Sequence, residues 1–266
     1  MATIAKYGHD ARPVCLRAEH LTRSFGGLVA VSDLSFAVAD SSITGLIGPN
    51  GSGKTVTFDC ITGFYRPDAG RIWFRDTDIT GAAPNVIARH GIGRSFQITG
   101  VFRNLTVRQN LVFAAQGKSF RSNVARALRR VRAGSRPDRR AAEMLEFLGL
   151  RDAGEAPAAA LPYGQQKILE LGGLMLMNPE PALYMLDEPF AGLTQGEIGR
   201  YLDLMREMRG RGKTFLIVEH NMRVIMNICD EIIVLDRGQK IAVGPPRDVQ
   251  TDPRVVEAYL GHAAPA

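Results

Sequence analysis

The sequence predicts an α/β fold built on a parallel sheet, and three observations support this prediction. Short apolar runs alternate with helical stretches between residues 182 and 235, which is typical of strands buried on both faces and joined by right-handed crossovers. A glycine-rich loop over residues 48–55 lies between an apolar run and a helical stretch. The length of 266 residues suits one large α/β domain or two closely associated lobes.

The first elements follow from hydrophobic periodicity and turn residues. Two alternating runs within 14–40 are predicted strands joined by a turn at Gly26-Gly27, and 43–47 is a short strand ending at Gly48. A helix is predicted over 54–62, with Gly63 ending it, and a strand over 71–75. The later elements are helices at 104–115, 139–148, 165–177, 197–209 and 222–227, and strands at 182–186, 214–218 and 231–235.

The stretch from 98 to 155 contains no convincing strand pattern, so we predict a helical lobe inserted into the α/β core. The predicted organisation is therefore a loose N-terminus (1–12), an α/β core lobe formed by 13–97 and 156–262, the inserted helical lobe (98–155) and a short tail (263–266).

Composition indicates a reduced, cytosolic protein. The three cysteines, Cys15, Cys60 and Cys229, are far apart and follow no metal-ligand spacing. No apolar run approaches the roughly 18 residues of a membrane-spanning helix, and the N-terminus has no apolar signal core. We therefore expect any membrane association to come through a partner.

The net charge of +6 is concentrated in one segment. Residues 118–140 contain nine basic residues and one acid, so this basic insert carries +8 and the rest of the chain sums to −2. The insert is either a solvated, arginine-rich helix pair or a surface facing anionic lipid or an acidic partner. Nucleic acid is not predicted as a partner. Phe120 is the segment's only aromatic residue, and single-stranded nucleic acid is bound by stacking several bases on aromatic side chains.

The loop over 48–55 has the pattern of a phosphate-binding P-loop. Glycine allows backbone conformations in which successive N–H groups face a phosphate, and the following helix presents its positive end. In this pattern Lys54 reaches the β- and γ-phosphates and the Thr55 hydroxyl binds Mg²⁺. The predicted ATP-binding residues of the loop are Gly48, Pro49, Asn50, Gly51, Ser52, Gly53, Lys54 and Thr55.

Two acids follow the apolar run at 182–186. Asp187, at the end of a predicted strand beside a P-loop, is placed to hold Mg²⁺. Glu188 can accept a proton from, or orient, the water that attacks the γ-phosphate.

With these residues in order, the chain resembles the ATPase of an ATP-binding-cassette (ABC) transporter over roughly residues 14–260. The resemblance implies the P-loop ABC-ATPase fold, with a RecA-like core, an antiparallel β lobe and an inserted helical lobe. It also rests on a signature segment between the P-loop and the two acids, formed by Leu161, Pro162, Tyr163, Gly164 and Gln165.

The resemblance implies roles for further residues. Phe25 stands where the family stacks an aromatic ring on adenine, and Gln97 matches the glutamine that senses Mg²⁺ and the attacking water. His220 matches the switch histidine that touches the γ-phosphate, and residues 191–194 match a loop that crosses the dimer interface. Each signature would cap the ATP held by the P-loop of a second cassette.

The segments LPYGQQK, LDEPFAGLT, VEHNM and DPRVVEAYLG resemble the Liv-type ATPases of branched-chain amino-acid uptake. This implies a second, related but different cassette, two transmembrane permease subunits and, indirectly, a periplasmic solute-binding protein. The chain would be peripheral on the cytoplasmic face of the inner membrane. Urea and amide import and lipopolysaccharide or lipid export remain alternatives, while two-cassette proteins of translation or repair fit poorly.

The signature departs from the family at Pro162, where serine is common. Proline offers neither a hydroxyl nor a backbone N–H to a phosphate, although it suits the start of a helix. We therefore expect the ATP completed by this signature to turn over more slowly than the other.

Overall fold

The computed structural model describes residues 12–95, 100–116 and 134–260. Residues 1–11 of the predicted loose N-terminus, Gln97, most of the basic insert and the tail lie outside the described residues. Arg12 is described, and its Nη1 donates to the Ser41 carbonyl at 2.8 Å. Among the helices of the described ranges, none has both the length and the apolar character needed to cross a membrane.

Ten strands form two sheets in the part of the chain that the structure describes. In chain order they are β1 (Val14–Phe25), β2 (Leu28–Ala39), β3 (Ile43–Ile47), β4 (Ala69–Phe74), β5 (Thr77–Asp78), β6 (Ile92–Arg94), β7 (Leu183–Asp187), β8 (Thr214–Val218), β9 (Glu231–Asp236) and β10 (Gln239–Gly244). An antiparallel sheet has the order β2-β1-β4-β5, and a six-stranded sheet has the order β10-β9-β3-β8-β7-β6.

The antiparallel sheet begins with the predicted hairpin. Phe25 pairs with Leu28 across the turn, and Gly26 has a φ of 58°, a left-handed conformation that glycine adopts at little cost. This hairpin places the side chain of Phe25 at the end of a strand.

The six-stranded sheet is parallel from β9 through β6, and β10 joins β9 in the antiparallel sense. All residues of β3, β7 and β8 are buried, as expected for parallel strands covered on both faces. Ile43 and Ile47 face one apolar core, and Leu46 faces the other, which the antiparallel sheet closes.

Nine α-helices surround the sheets in the described ranges. They are α1 (Lys54–Ile61), α2 (Pro84–His90), α3 (Val107–Ala115), α4 (Arg136–Phe147), α5 (Tyr163–Met175), α6 (Gln195–Gly210), α7 (Met222–Ile228), α8 (Pro246–Thr251) and α9 (Pro253–Leu260), with 3-10 turns at Arg151–Ala153 and Ala158–Ala160. The signature helix α5 starts two residues earlier than the sequence predicts, because Pro162 is its N-cap.

Helices α3 and α4 are the main elements described between residues 98 and 155. A capping box formed by Thr106 and Gln109 begins α3. Arg108 pairs with Asp138 at 2.7 Å and so links α3 to α4. The division of the chain into a core lobe and an inserted lobe stays a prediction.

Tyr184 offers a test of packing in the sheet. Its ring is fully buried and stacks on Phe215 with centroids 5.3 Å apart, but its hydroxyl has no hydrogen-bond partner among the described residues. A buried, unsatisfied polar group costs about 1–3 kcal/mol. Tyr184→Phe should therefore leave the free energy of unfolding in urea unchanged or raise it by up to about 1 kcal/mol. A loss of more than about 1 kcal/mol would show that the hydroxyl has a stabilising partner.

Candidate nucleotide site

The P-loop connects β3 to α1, and its glycines are needed for steric reasons. A Cβ on Gly48, which has a φ of +151°, would lie 2.1 Å from the Leu235 carbonyl oxygen. A Cβ on Gly53 would lie 2.5 Å from the carbonyl oxygen of Ala30 on β2. The loop is therefore seated between the end of β9 and the hairpin strand, close to the part of the fold that carries Phe25.

Lys54 is folded into the loop. Its Nζ donates to the carbonyl oxygens of Gly48 and Pro49, each at 2.8 Å, and lies 3.4 Å from the Ser52 hydroxyl. Burial lowers the pKa of Lys54, and the negative charges of Glu188 and Asp187 act in the opposite direction. The Lys54 ammonium group therefore interacts electrostatically with the carboxylates of both predicted acids.

Asp187 ends β7 and is nearly fully buried. Burial raises its pKa, and the Arg94 guanidinium, 3.9 Å from its Oδ2, partly offsets this effect. Its Oδ1 has no hydrogen-bond partner among the described residues. Thr55 lies exposed at the start of α1. A carboxylate oxygen and an exposed hydroxyl fit Mg²⁺, which prefers one or two protein oxygens together with water and phosphate.

Glu188 and His220 are brought together although 32 residues separate them. His220 Nε2 lies 3.0 Å from Glu188 Oε1. Glu188 has a φ of 47°, a strained conformation for a non-glycine residue and one that clusters at functional sites. Its side chain is 28% exposed, so water can reach this carboxylate.

Sequence reasoning missed Glu219, which supports this pair. Its buried carboxylate accepts hydrogen bonds from the backbone N–H groups of Phe190, His220 and Asn221 at 2.9, 3.0 and 3.3 Å. It thereby ties the segment after Glu188 to the segment that carries His220. The only sequence signal was an acid at the end of an apolar strand.

The signature begins helix α5. Pro162 is the N-cap with a φ of −52° and provides no side-chain cap. The ring of Tyr163 is 43% exposed and lies over Gly192, whose added Cβ would meet it at 3.1 Å. The Glu197 side chain packs against Gly164, because an added Cβ on Gly164 would lie 2.2 Å from Glu197 Oε1. Hydrogen bonds from the backbone and side chain of Thr194 lower the pKa of Glu197. The signature and the predicted interface loop are therefore in contact within one chain.

The remaining signature residues lie along the same turn. Leu161 is buried, Gln165 is half-buried, and the Gln166 side chain donates to the Leu161 carbonyl at 2.8 Å.

The segment before Gln97 reaches the acid site, because the Asp187 N–H donates to the Ser95 hydroxyl at 3.2 Å.

Two protein families match this chain. Residues 31–191 match the family described as "ABC transporter". The chain belongs to the ABC transporter family. Residues 239–265 match the family described as "Branched-chain amino acid ATP-binding cassette transporter". The predicted resemblance, the fold class and ATP hydrolysis coupled to transport are thereby confirmed.

Curated relatives of this ABC cassette match it over nearly its full length. LivG of Escherichia coli (strain K12), a high-affinity branched-chain amino acid transport ATP-binding protein, is 39% identical over 253 residues, which are 93% of this chain and 98% of LivG. BraF of Pseudomonas aeruginosa, with the same description, is 37% identical over 258 residues, 95% of this chain and 100% of BraF.

Solved structures show the same cassette fold. A nucleotide-free ATP-binding cassette from an ABC transporter superposes with a TM-score of 0.81 at 32% identity, covering 92% of this chain and 98% of that one. A cassette in its ADP conformation also gives 0.81 at 32% identity, with 94% and 99% covered. The family match implies nucleotide binding, and these structures have the same fold as this chain.

Proposed function

We propose that this cassette binds ATP with Mg²⁺ and hydrolyses it to energise the import of branched-chain amino acids. The observation that carries the chemistry is the 3.0 Å contact between Glu188 and His220 beside a P-loop. The choice of solute is supported by the match of residues 239–265 and by the transport described for LivG and BraF.

The roles that we propose for the residues are those that the family resemblance implies. The P-loop N–H groups and Lys54 bind the phosphates, and Phe25 stacks on adenine. Thr55, Asp187 and Gln97 would hold Mg²⁺, which would neutralise charge on the phosphates. Glu188 takes the proton of the attacking water, and His220 orients Glu188 and the γ-phosphate.

The signature serves a second cassette. Leu161, Tyr163, Gly164 and Gln165 lie at the start of α5, where a helix N-terminus favours phosphate. The two cassettes close when ATP binds between them, and they open again after hydrolysis. ATP thereby shifts an equilibrium between an open and a closed pair. We propose that the other cassette is a related chain and that closure moves two permease subunits on the cytoplasmic face of the inner membrane, supplied by a periplasmic binding protein.

Affinity purification of the tagged chain from detergent-solubilised membranes tests these partners. We expect two integral membrane proteins and a second cassette to copurify. Recovery of ribosomes or DNA in their place would contradict the transport assignment.

Pro162→Ser tests whether the two ATP sites differ. Serine can restore one hydrogen bond to a charged group, worth about 1.5–3 kcal/mol, so we expect a several-fold higher ATPase rate of the assembled complex. Pro162→Ala is the matched control, since it restores a backbone N–H without a hydroxyl. An unchanged or lower rate for Pro162→Ser would argue against a missing signature contact.

A further inference from the structure

Two aromatic rings lie together where the hairpin strand β1 ends. Phe25 is the last residue of β1 and is 38% exposed, and Tyr65, on the loop after α1, is 37% exposed. Their centroids are 5.0 Å apart and their planes are inclined by 72°. This edge contact leaves much of the Phe25 ring accessible.

The guanidinium group of Arg23 covers one face of Phe25. Its Cζ lies 4.7 Å from the centroid of Phe25 and 5.6 Å from that of Tyr65. A cation at such a distance is attracted by the ring quadrupole. With one face covered, a flat base can stack on Phe25 only from the opposite side.

Arg23 is itself held in place. Its Nη1 donates to Asp68 Oδ1 at 2.7 Å and to the Arg66 carbonyl at 3.2 Å. The other oxygen of Asp68 accepts from the Ser24 N–H at 2.7 Å, and the Asp68 N–H donates to the Thr22 carbonyl at 2.8 Å. Asp68 is thus bonded to β1 on both sides of Arg23, which is 25% exposed.

We propose that Arg23, fixed by Asp68, is the positioning residue for the adenine ring of ATP. It holds Phe25 in one rotamer with a single free face, so little conformational entropy is lost when the base stacks. The inference rests on the proposed contact of Phe25 with adenine, and it adds a residue that acts through Phe25 without touching the nucleotide.

Arg23→Met removes the cation and keeps the length of the side chain. We expect the Kd of the purified full-length chain for ATP, measured by titration calorimetry with Mg²⁺, to rise about two- to fivefold. Affinity for inorganic tripolyphosphate, which lacks the base, should stay unchanged. The KM for ATP of the assembled complex should rise without a change in kcat, because the substitution would weaken binding of the substrate and of the transition state equally. Arg23→Lys, which keeps the cation, should recover part of the affinity.

Arg17→Met is a matched control on the same strand. Arg17 lies 5.6 Å from the ring of Trp73 and 3.0 Å from Glu19, so it has the same kinds of contact without Phe25. We expect this variant to bind ATP like the parent chain. Equal weakening by both substitutions would overturn the proposal, because it would indicate a general effect on β1.

A double-mutant cycle with Phe25→Leu separates positioning from structural effects. If Arg23 acts through Phe25, Arg23→Met should have no further effect once Phe25 is leucine. Additive effects, or equal losses for ATP and tripolyphosphate, would overturn the proposal while leaving the adenine contact in place. No loss of ATP affinity in Phe25→Leu alone would instead remove the adenine contact, and the role of Arg23 with it.

Discussion

Glu188→Gln is expected to stop ATP turnover while ATP binding is retained. The amide keeps the size of the side chain and can still contact His220 Nε2, now 3.0 Å from Glu188 Oε1, but it cannot take a proton from water. Loss of a general base reduces a rate by roughly 10²–10⁴-fold. Phosphate release by the assembled complex should fall by this amount, and the closed pair of cassettes should accumulate with ATP bound.

Glu180→Gln is a suitable control, because Glu180 precedes the other end of β7 and pairs on the surface with Lys213 at 2.7 Å. This variant should hydrolyse ATP within about twofold of the parent, since exposed ion pairs contribute little. Normal turnover in Glu188→Gln would remove Glu188 from its proposed role. Loss of ATP binding in Glu188→Gln would indicate damage to the site, and this result would also contradict the expectation.

Lys54→Met is expected to weaken ATP binding by roughly 10- to 100-fold, the loss of one hydrogen bond to a charged group. In the structure Nζ satisfies the carbonyl oxygens of Gly48 and Pro49, so the substitution should also lower the free energy of unfolding by about 1–3 kcal/mol. Calorimetric titration with ATP, at a temperature where circular dichroism shows both proteins folded, measures the first effect, and urea unfolding measures the second.

Lys240 provides the comparison for Lys54. Its Nζ donates to the Ser35 carbonyl at 2.6 Å, and burial lowers its pKa as it does for Lys54. Lys240→Met should lower stability through the same loss of a bond to a backbone carbonyl but leave ATP affinity within about twofold. If both variants lost ATP affinity equally, the effect of Lys54→Met could not be assigned to a phosphate contact.

The centre of the site could be predicted from sequence because its residues occupy short, ordered motifs. The P-loop follows the buried strand β3, Asp187 ends the buried strand β7 and Glu188 comes directly after it. The carboxyl ends of these parallel strands meet at one edge of the sheet. His220 was predicted from the family resemblance, which matches it to the switch histidine, and the structure brings its Nε2 to 3.0 Å from Glu188 Oε1.

The supporting contacts could not be predicted, because they join residues that are distant in sequence. Arg23 and Asp68 are 45 positions apart and belong to different elements. Contacts of this kind depend on register and loop conformation, which periodicity does not specify. The same holds for Gly164 and Glu197, which meet only once α5 and α6 are packed.

The fold was predictable where apolar runs were short and continuous, and less so at the periphery. The edge strand β10 escaped prediction because it buries only Ala242 and Gly244 and carries polar Gln239 and Lys240. Helix α8 has six residues, too few for helical periodicity to be visible in the sequence.

ATPase activity of the transporter reconstituted with its periplasmic binding protein tests the proposed function most directly. A binding protein loaded with leucine, isoleucine or valine should stimulate ATP hydrolysis, and Glu188→Gln should remove the stimulated rate. Stimulation by urea or an amide alone, or by lipopolysaccharide without any binding protein, would contradict the import of branched-chain amino acids.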